Sequence, residues 1–74
     1  MIKLANIREH MEVVGSDGKH IGAVDGIESN RIKLIRRDAM AGGEHHYVSF
    51  DSIERVEDAR VLLKETAQQI MQTW

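Results

Sequence analysis

Four histidines, His10, His20, His45 and His46, with Glu44 and Asp17, are the side chains of this chain best suited to hold a divalent cation. Imidazole and carboxylate ligands would suit Zn²⁺ or Ni²⁺. The spacing of Glu44, His45 and His46 argues against such a site. In an extended segment neighbouring residues point to opposite faces, so His45 and His46 cannot reach one ion without a bulge. Glu44 and His46 share a face, but that face continues through Val48 and Phe50. A histidine there is explained by packing at the core edge and bonding locally. We therefore expect no metal and no other cofactor.

Arg31, Lys33, Arg36 and Arg37 crowd positive charge into a short segment, and Arg31 and Lys33 share one face of a strand. They could touch phosphate or an acidic partner. The same charges are what a solvated strand uses to discourage edge-to-edge pairing, and Glu28, Asp38 and Glu44 lie close in sequence. Ten basic against twelve acidic residues leave a formal charge of −2, which argues against nucleic acid as the partner. Ser16, Ser29, Ser49 and Ser52 lack the G-x-S-x-G elbow that exposes a catalytic serine. Asp17-Gly18 lacks the spacing and the following helix of a phosphate loop. Asp17 and Asp25 are a carboxylate pair in a chain too small for a deep cleft. The expectation is a protein that is not an enzyme.

The remaining candidate surface is apolar. Ala67, Ile70, Met71 and Trp74 recur at helical spacing, and Ile70, Met71 and Trp74 are the candidate interaction residues. Trp is enriched at binding hot spots and Met adapts to irregular surfaces. The same face could close one end of the protein's own core. With 74 residues and no cysteine, the chain has a thin core and no disulfide or thiolate site to staple it. Homodimerisation is the expectation that follows. No apolar run approaches the ~20 residues of a membrane span, and no signal-peptide pattern opens the sequence.

These residues must be positioned by short elements. Met1–Leu4 reads as extended, and Asn6 with Glu9 forms a capping-box pair for one helical turn carrying Ile7 and Met11. Met11–Val14 leads as a strand into a tight turn at Ser16-Asp17-Gly18-Lys19, where Asp-Gly is a strong hairpin signal. His20–Glu28 breaks strict alternation: Ile21, Val24 and Ile27 recur every three residues with Gly22 and Gly26 between them, which predicts a bulged or bent strand. Ser29-Asn30 is a second turn, and residues 31–37 form a strand with Ile32 and Leu34 on the buried face. Asp38–Gly43 is a loop, and residues 44–50 are a strand with His46, Val48 and Phe50 inward. Asp51–Val56 suggests a helical turn that drops Ile53 and Val56 inward, and Arg60–Lys64 is a last strand. Thr66 and Gln69 form a capping-box pair opening a terminal helix of about nine residues.

Met11-Glu12-Val13-Val14, Gly15-Ser16-Asp17-Gly18-Lys19, Ile21-Gly22-Ala23-Val24 and Gly43-Glu44-His45-His46-Tyr47-Val48 resemble a PRC-barrel-type domain. More narrowly, they resemble a bacterial family of small stand-alone PRC-barrel-like proteins with no assigned function. The resemblance covers residues 3–64. It implies a small curled antiparallel sheet or β-barrel with a short C-terminal α-helix: one domain over 1–74, with a β core at 3–64 and a helix at 65–74. Similar domains in the photosynthetic reaction-centre H subunit and in a ribosome-maturation factor work as docking modules. The resemblance therefore implies a non-catalytic binding or scaffold module of the bacterial cytoplasm, and it brings no catalytic residues with it. A metal- or small-ligand-binding protein using His45 and His46, or a ribosome- or RNA-associated factor using the basic stripe, are the alternatives. The sequence names no protein partner.

Overall fold

The computed structural model of the chain describes residues 7–74; the expected extended piece at Met1–Leu4 and the cap at Asn6 lie outside them. The elements are β1 (Glu12–Val14), β2 (His20–Glu28), β3 (Arg31–Leu34), β4 (Tyr47–Ser49), a 3-10 turn (Phe50–Ser52), β5 (Ile53–Glu57), β6 (Arg60–Leu63) and α1 (Ala67–Met71). They form one six-stranded sheet in the order β4-β3-β2-β1-β6-β5, backed by the helix. The mainly β architecture with a short C-terminal helix is as the sequence led us to expect. Two details differ. β1 pairs parallel with β6, so the sheet is mixed, and among the described residues β4 and β5 are edges that do not pair with one another, so the sheet does not close into a barrel.

The first hairpin turns on Gly15–Lys19. Gly18 N–H donates to the Gly15 carbonyl and Gly15 N–H to the Lys19 carbonyl, with Gly18 at φ 79°. This is a three-residue loop ending in a left-handed glycine, rather than the shorter two-residue turn. β2 then carries two register shifts, opposite Val13/Val14 and between Val24 and Gly26. The predicted bulge is present, but it is doubled, and the second shift sets Ile27 opposite the buried Ile32. Ile27 thus stays on the face of Val24, but near the end of β2 it is 41% exposed. At the Ser29-Asn30 turn, Ser29 takes φ 55°, the positive value a two-residue hairpin loop needs.

Asp51–Val56 is not a helical turn. A 3-10 turn at Phe50–Ser52 leads directly into β5. A register shift between Ile53 and Arg55 stretches the apolar repeat of Ile53 and Val56 to three residues, which imitates a helix in the sequence. Ile53 is buried and Val56 packs against the core all the same. Two other strands are shorter than expected: β3 ends at Leu34 and β4 covers only Tyr47–Ser49. Glu9 and His10 lie in a turn rather than a helix, though Ile7 is buried in the core and Met11 packs against it.

The central strands β1 and β6 bury Val13 and Val61 completely. Around them Ile21, Val24, Ile32, Leu34, Val48, Ile53 and Leu63 complete the core, and Ala67 and Ile70 of α1 cap it. Each buried aliphatic side chain of this kind stabilises the fold by about 1.5–3 kcal/mol relative to exposure.

Candidate functional site

The terminal helix is short but fully specified at its start. Thr66 Oγ1 accepts from Gln69 N–H while Gln69 Oε1 accepts from Thr66 N–H, the reciprocal capping box read from the sequence. The tip of the first hairpin holds this end down. Ser16 N–H donates to the Glu65 carbonyl at 2.7 Å, and Asp17 Oδ1 accepts from Ala67 N–H at 3.4 Å. Gly15 lets the two elements meet, because a Cβ there would lie 2.3 Å from the Ala67 nitrogen. The Gly15–Lys19 segment is thus the dock for the helix. Ile70 is buried, and Met71 and Trp74 pack against the core of the same chain.

The sequence-suggested metal set does not converge. His45 Nδ1 donates to the Leu34 carbonyl at 2.8 Å. His46 Nε2 donates to the Ala41 carbonyl at 2.8 Å, and its ring stacks on the Trp74 indole with centroids 3.8 Å apart and planes 5° from parallel. Glu44 is exposed. Among the described residues no three His, Asp or Glu side chains come together in a metal-binding arrangement.

The basic stripe divides. Arg31 and Lys33 approach Glu28 at 3.9 and 3.6 Å, and the Arg31 guanidinium lies 3.9 Å over the Tyr47 ring. Arg36 and Arg37 fall after β3 and line a hollow of about 350 Å³ with His10, Asp25 and His45.

One cluster escaped the sequence reading. His20 donates Nδ1–H to Glu12 Oε2 at 2.8 Å and, as the cation, Nε2–H to Asp38 Oδ2 at 2.7 Å. The Glu12 bond chiefly, with Asp38 adding, raises the His20 pKa above the usual histidine value against the opposing effect of burial. Burial pushes Asp38 up, but the Met40 amide and His20 together outweigh it and leave its carboxyl below the ordinary value. Both ring nitrogens are occupied, so His20 ties β1, β2 and the 38–46 loop together. No local pattern could have revealed this, because Asp38 is brought in by a loop.

A groove of about 440 Å³ runs between β4 and α1, lined by Tyr47, Val48 and Ser49 on one side and by Glu65, Gln69 and Thr73 on the other. Three consecutive strand residues line it, so it lies along the strand's edge rather than over one face. Leu34 N–H bonds the His46 carbonyl and Phe50 N–H bonds the Asn30 carbonyl, with Ile32 opposite Val48. Residues 46, 48 and 50 therefore aim their backbone groups at β3, and by alternation Tyr47 and Ser49 aim theirs away from it. Within the groove lining, Glu65 Oε1 is buried and lacks a hydrogen-bond partner.

Fold and site together define a small mixed-sheet domain whose terminal helix is fastened to a hairpin tip and flanks an open strand edge. The chain belongs to the family described as uncharacterized protein conserved in bacteria (DUF2171), whose model matches residues 7–71. The match extends through α1, beyond the 3–64 span of the resemblance read from the sequence. No curated protein matches the chain.

Proposed function

We propose that the protein is a non-catalytic, PRC-barrel-like binding module that takes an extended segment of a partner protein along the open edge of β4. The observation that carries this reading is the set of outward-facing backbone groups of Tyr47 and Ser49 beside a ready groove. An added strand would pair with those groups, and main-chain hydrogen bonds of this kind supply affinity while the flanking pockets supply selectivity.

The test is two-dimensional NMR of the labelled protein with a short peptide of alternating threonine and valine around a central lysine. The Tyr47 and Ser49 amides should shift with saturation at about 1 mM peptide, the weak end of measurable affinity. Ser49→Pro should abolish the shifts at Tyr47 while leaving the fold intact. Ser49 already has φ −64°, which proline accepts, and its N–H faces away from β3. Ser49→Ala, which loses only the hydroxyl cap on Asp51 N–H, should still bind. Unmoved Tyr47 and Ser49 amides would overturn the reading. So would protection of those amides that rises with protein concentration alone, which would instead assign the edge to a homodimer.

A second reading, contact with RNA phosphates, is favoured by Arg36 and Arg37, which line one hollow with His10, Asp25 and His45; Asp25 lies 3.9 Å from His45, and neither arginine pairs with a carboxylate among the described residues. Retention of a single-stranded RNA oligonucleotide at about 0.15 M salt, lost in the Arg36→Ala, Arg37→Ala double variant, would support it.

A further inference from the structure

We infer that the segment received by the β4 groove carries a lysine or arginine, whose cationic head is taken by Glu65. The inference rests on the proposed strand-addition reading and adds the chemistry of the partner. Glu65 lines the groove with Oε1 buried and without a hydrogen-bond partner. A carboxylate oxygen removed from water without a donor is costly, and such an atom calls for an explanation. Its backbone is fixed from the other side, because the Glu65 carbonyl accepts from Ser16 N–H at 2.7 Å. The residue therefore stands at the junction between the hairpin tip and the start of α1.

The rest of the lining fixes the sign of the occupant. Tyr47, Ser49, Ser52, Gln69 and Thr73 are uncharged, Val48 and Ile70 are apolar, and among the described residues no Lys, Arg or His lines the groove. Among the described residues Glu65 carries its only formal charge. A neutral strand would pair with the β4 edge and leave Oε1 without a donor. A strand with a cationic side chain directed toward α1 would supply a charge-assisted hydrogen bond in a site partly shielded from solvent. An acidic strand would meet like charge. Cationic segments are thus selected over neutral and acidic ones by the same groove that pairs with the backbone.

The experiment compares three peptides identical except at the centre: lysine, norleucine and glutamate, each titrated into the labelled protein and into Glu65→Gln. The lysine peptide should bind the wild type at least tenfold more tightly than the norleucine peptide, the scale of a hydrogen bond to a charged group, and the glutamate peptide should bind weakest. In Glu65→Gln the lysine advantage should collapse to less than about twofold while the norleucine peptide keeps its affinity and still shifts Tyr47 and Ser49. Equal binding of all three peptides at the β4 edge would overturn this inference and leave the strand-addition reading standing. Absence of any peptide at the edge would overturn both. An unchanged lysine preference in Glu65→Gln would assign the selectivity elsewhere and refute the role of Glu65.

Discussion

Replacing Gly15 by alanine tests whether the hairpin tip is the dock for α1. Gly15 is not at positive φ, so alanine meets no backbone strain of its own. Its Cβ would instead lie 2.3 Å from the Ala67 nitrogen, 2.9 Å from the Thr66 carbonyl carbon and 2.8 Å from Asp17 Oδ1. Two of those atoms are backbone, so relief requires the start of α1 to move by about 1 Å. That movement stretches the Ser16–Glu65 bond and breaks the long Asp17–Ala67 bond. Overpacking costs about 1–3 kcal/mol and each lost hydrogen bond about 1 kcal/mol, so the total should be about 2–4 kcal/mol. A chain of this length has only about 4–11 kcal/mol of stability. The assay is urea denaturation followed in parallel by far-ultraviolet circular dichroism and by fluorescence of Trp74, the single tryptophan. In Gly15→Ala the fluorescence transition should move to lower urea than the dichroism transition, because the helix leaves before the sheet unfolds. Gly18→Ala is the matched control: nothing lies near its Cβ, but φ is +79°, so it should cost about 1–2 kcal/mol with both probes moving together. A Gly15→Ala protein within about 0.5 kcal/mol of wild type would refute the docking argument.

Other outcomes follow from the same geometry. Ala59 takes φ 60° beside Asp58 at φ 51°, so Ala59→Gly should raise the urea midpoint, with a gain of about 1 kcal/mol from relieved backbone strain. Val61→Ala, at a fully buried position of β6, should lose about 1–3 kcal/mol by the same measurement and move both probes equally. Because the folded His20 pKa is raised, its contribution to stability is complete below the ordinary value of 6.5 and is lost as pH rises through the folded value. Asp38, being lowered, contributes above its ordinary value of 3.8 and loses that contribution as pH falls through the folded one. Stability should therefore be greatest between those two ordinary values, and His20→Asn should remove the decline on the alkaline side, read as urea midpoint against pH.

Sequence patterns reported those features whose cause is local. The capping box of Thr66 and Gln69, the glycine turn at Gly18 and the bulged β2 each follow from neighbouring residues. β5 was hidden because its bulge spaces Ile53 and Val56 as a helix would. The Asp58-Ala59 turn was hidden because alanine gives no sign that it will adopt positive φ. The sequence-proposed ligands also faded for a physical reason: His45 and His46 are turned toward carbonyls of different segments. Tyr47, Ser49 and Glu65 acquire meaning only when β4 becomes an edge and α1 lies beside it. The His20 bridge and the groove are products of long-range placement, as is the parallel pairing of β1 with β6.

That parallel pairing also sets the order of events when the chain is made. Residues 12–14 find their partners at 60–62, 48 residues further along the chain. The β2-β3-β4 meander can assemble from nearby residues, but β1 keeps one side open until the last strand has been synthesised. Closing so long a loop delays the decisive contacts and slows folding relative to a chain of local hairpins. A nascent or prematurely ended chain that stops before residue 60 therefore leaves β1, with its buried Val13 and Val14, as an open edge of the sheet, which makes incomplete synthesis a moment of exposure to misassembly.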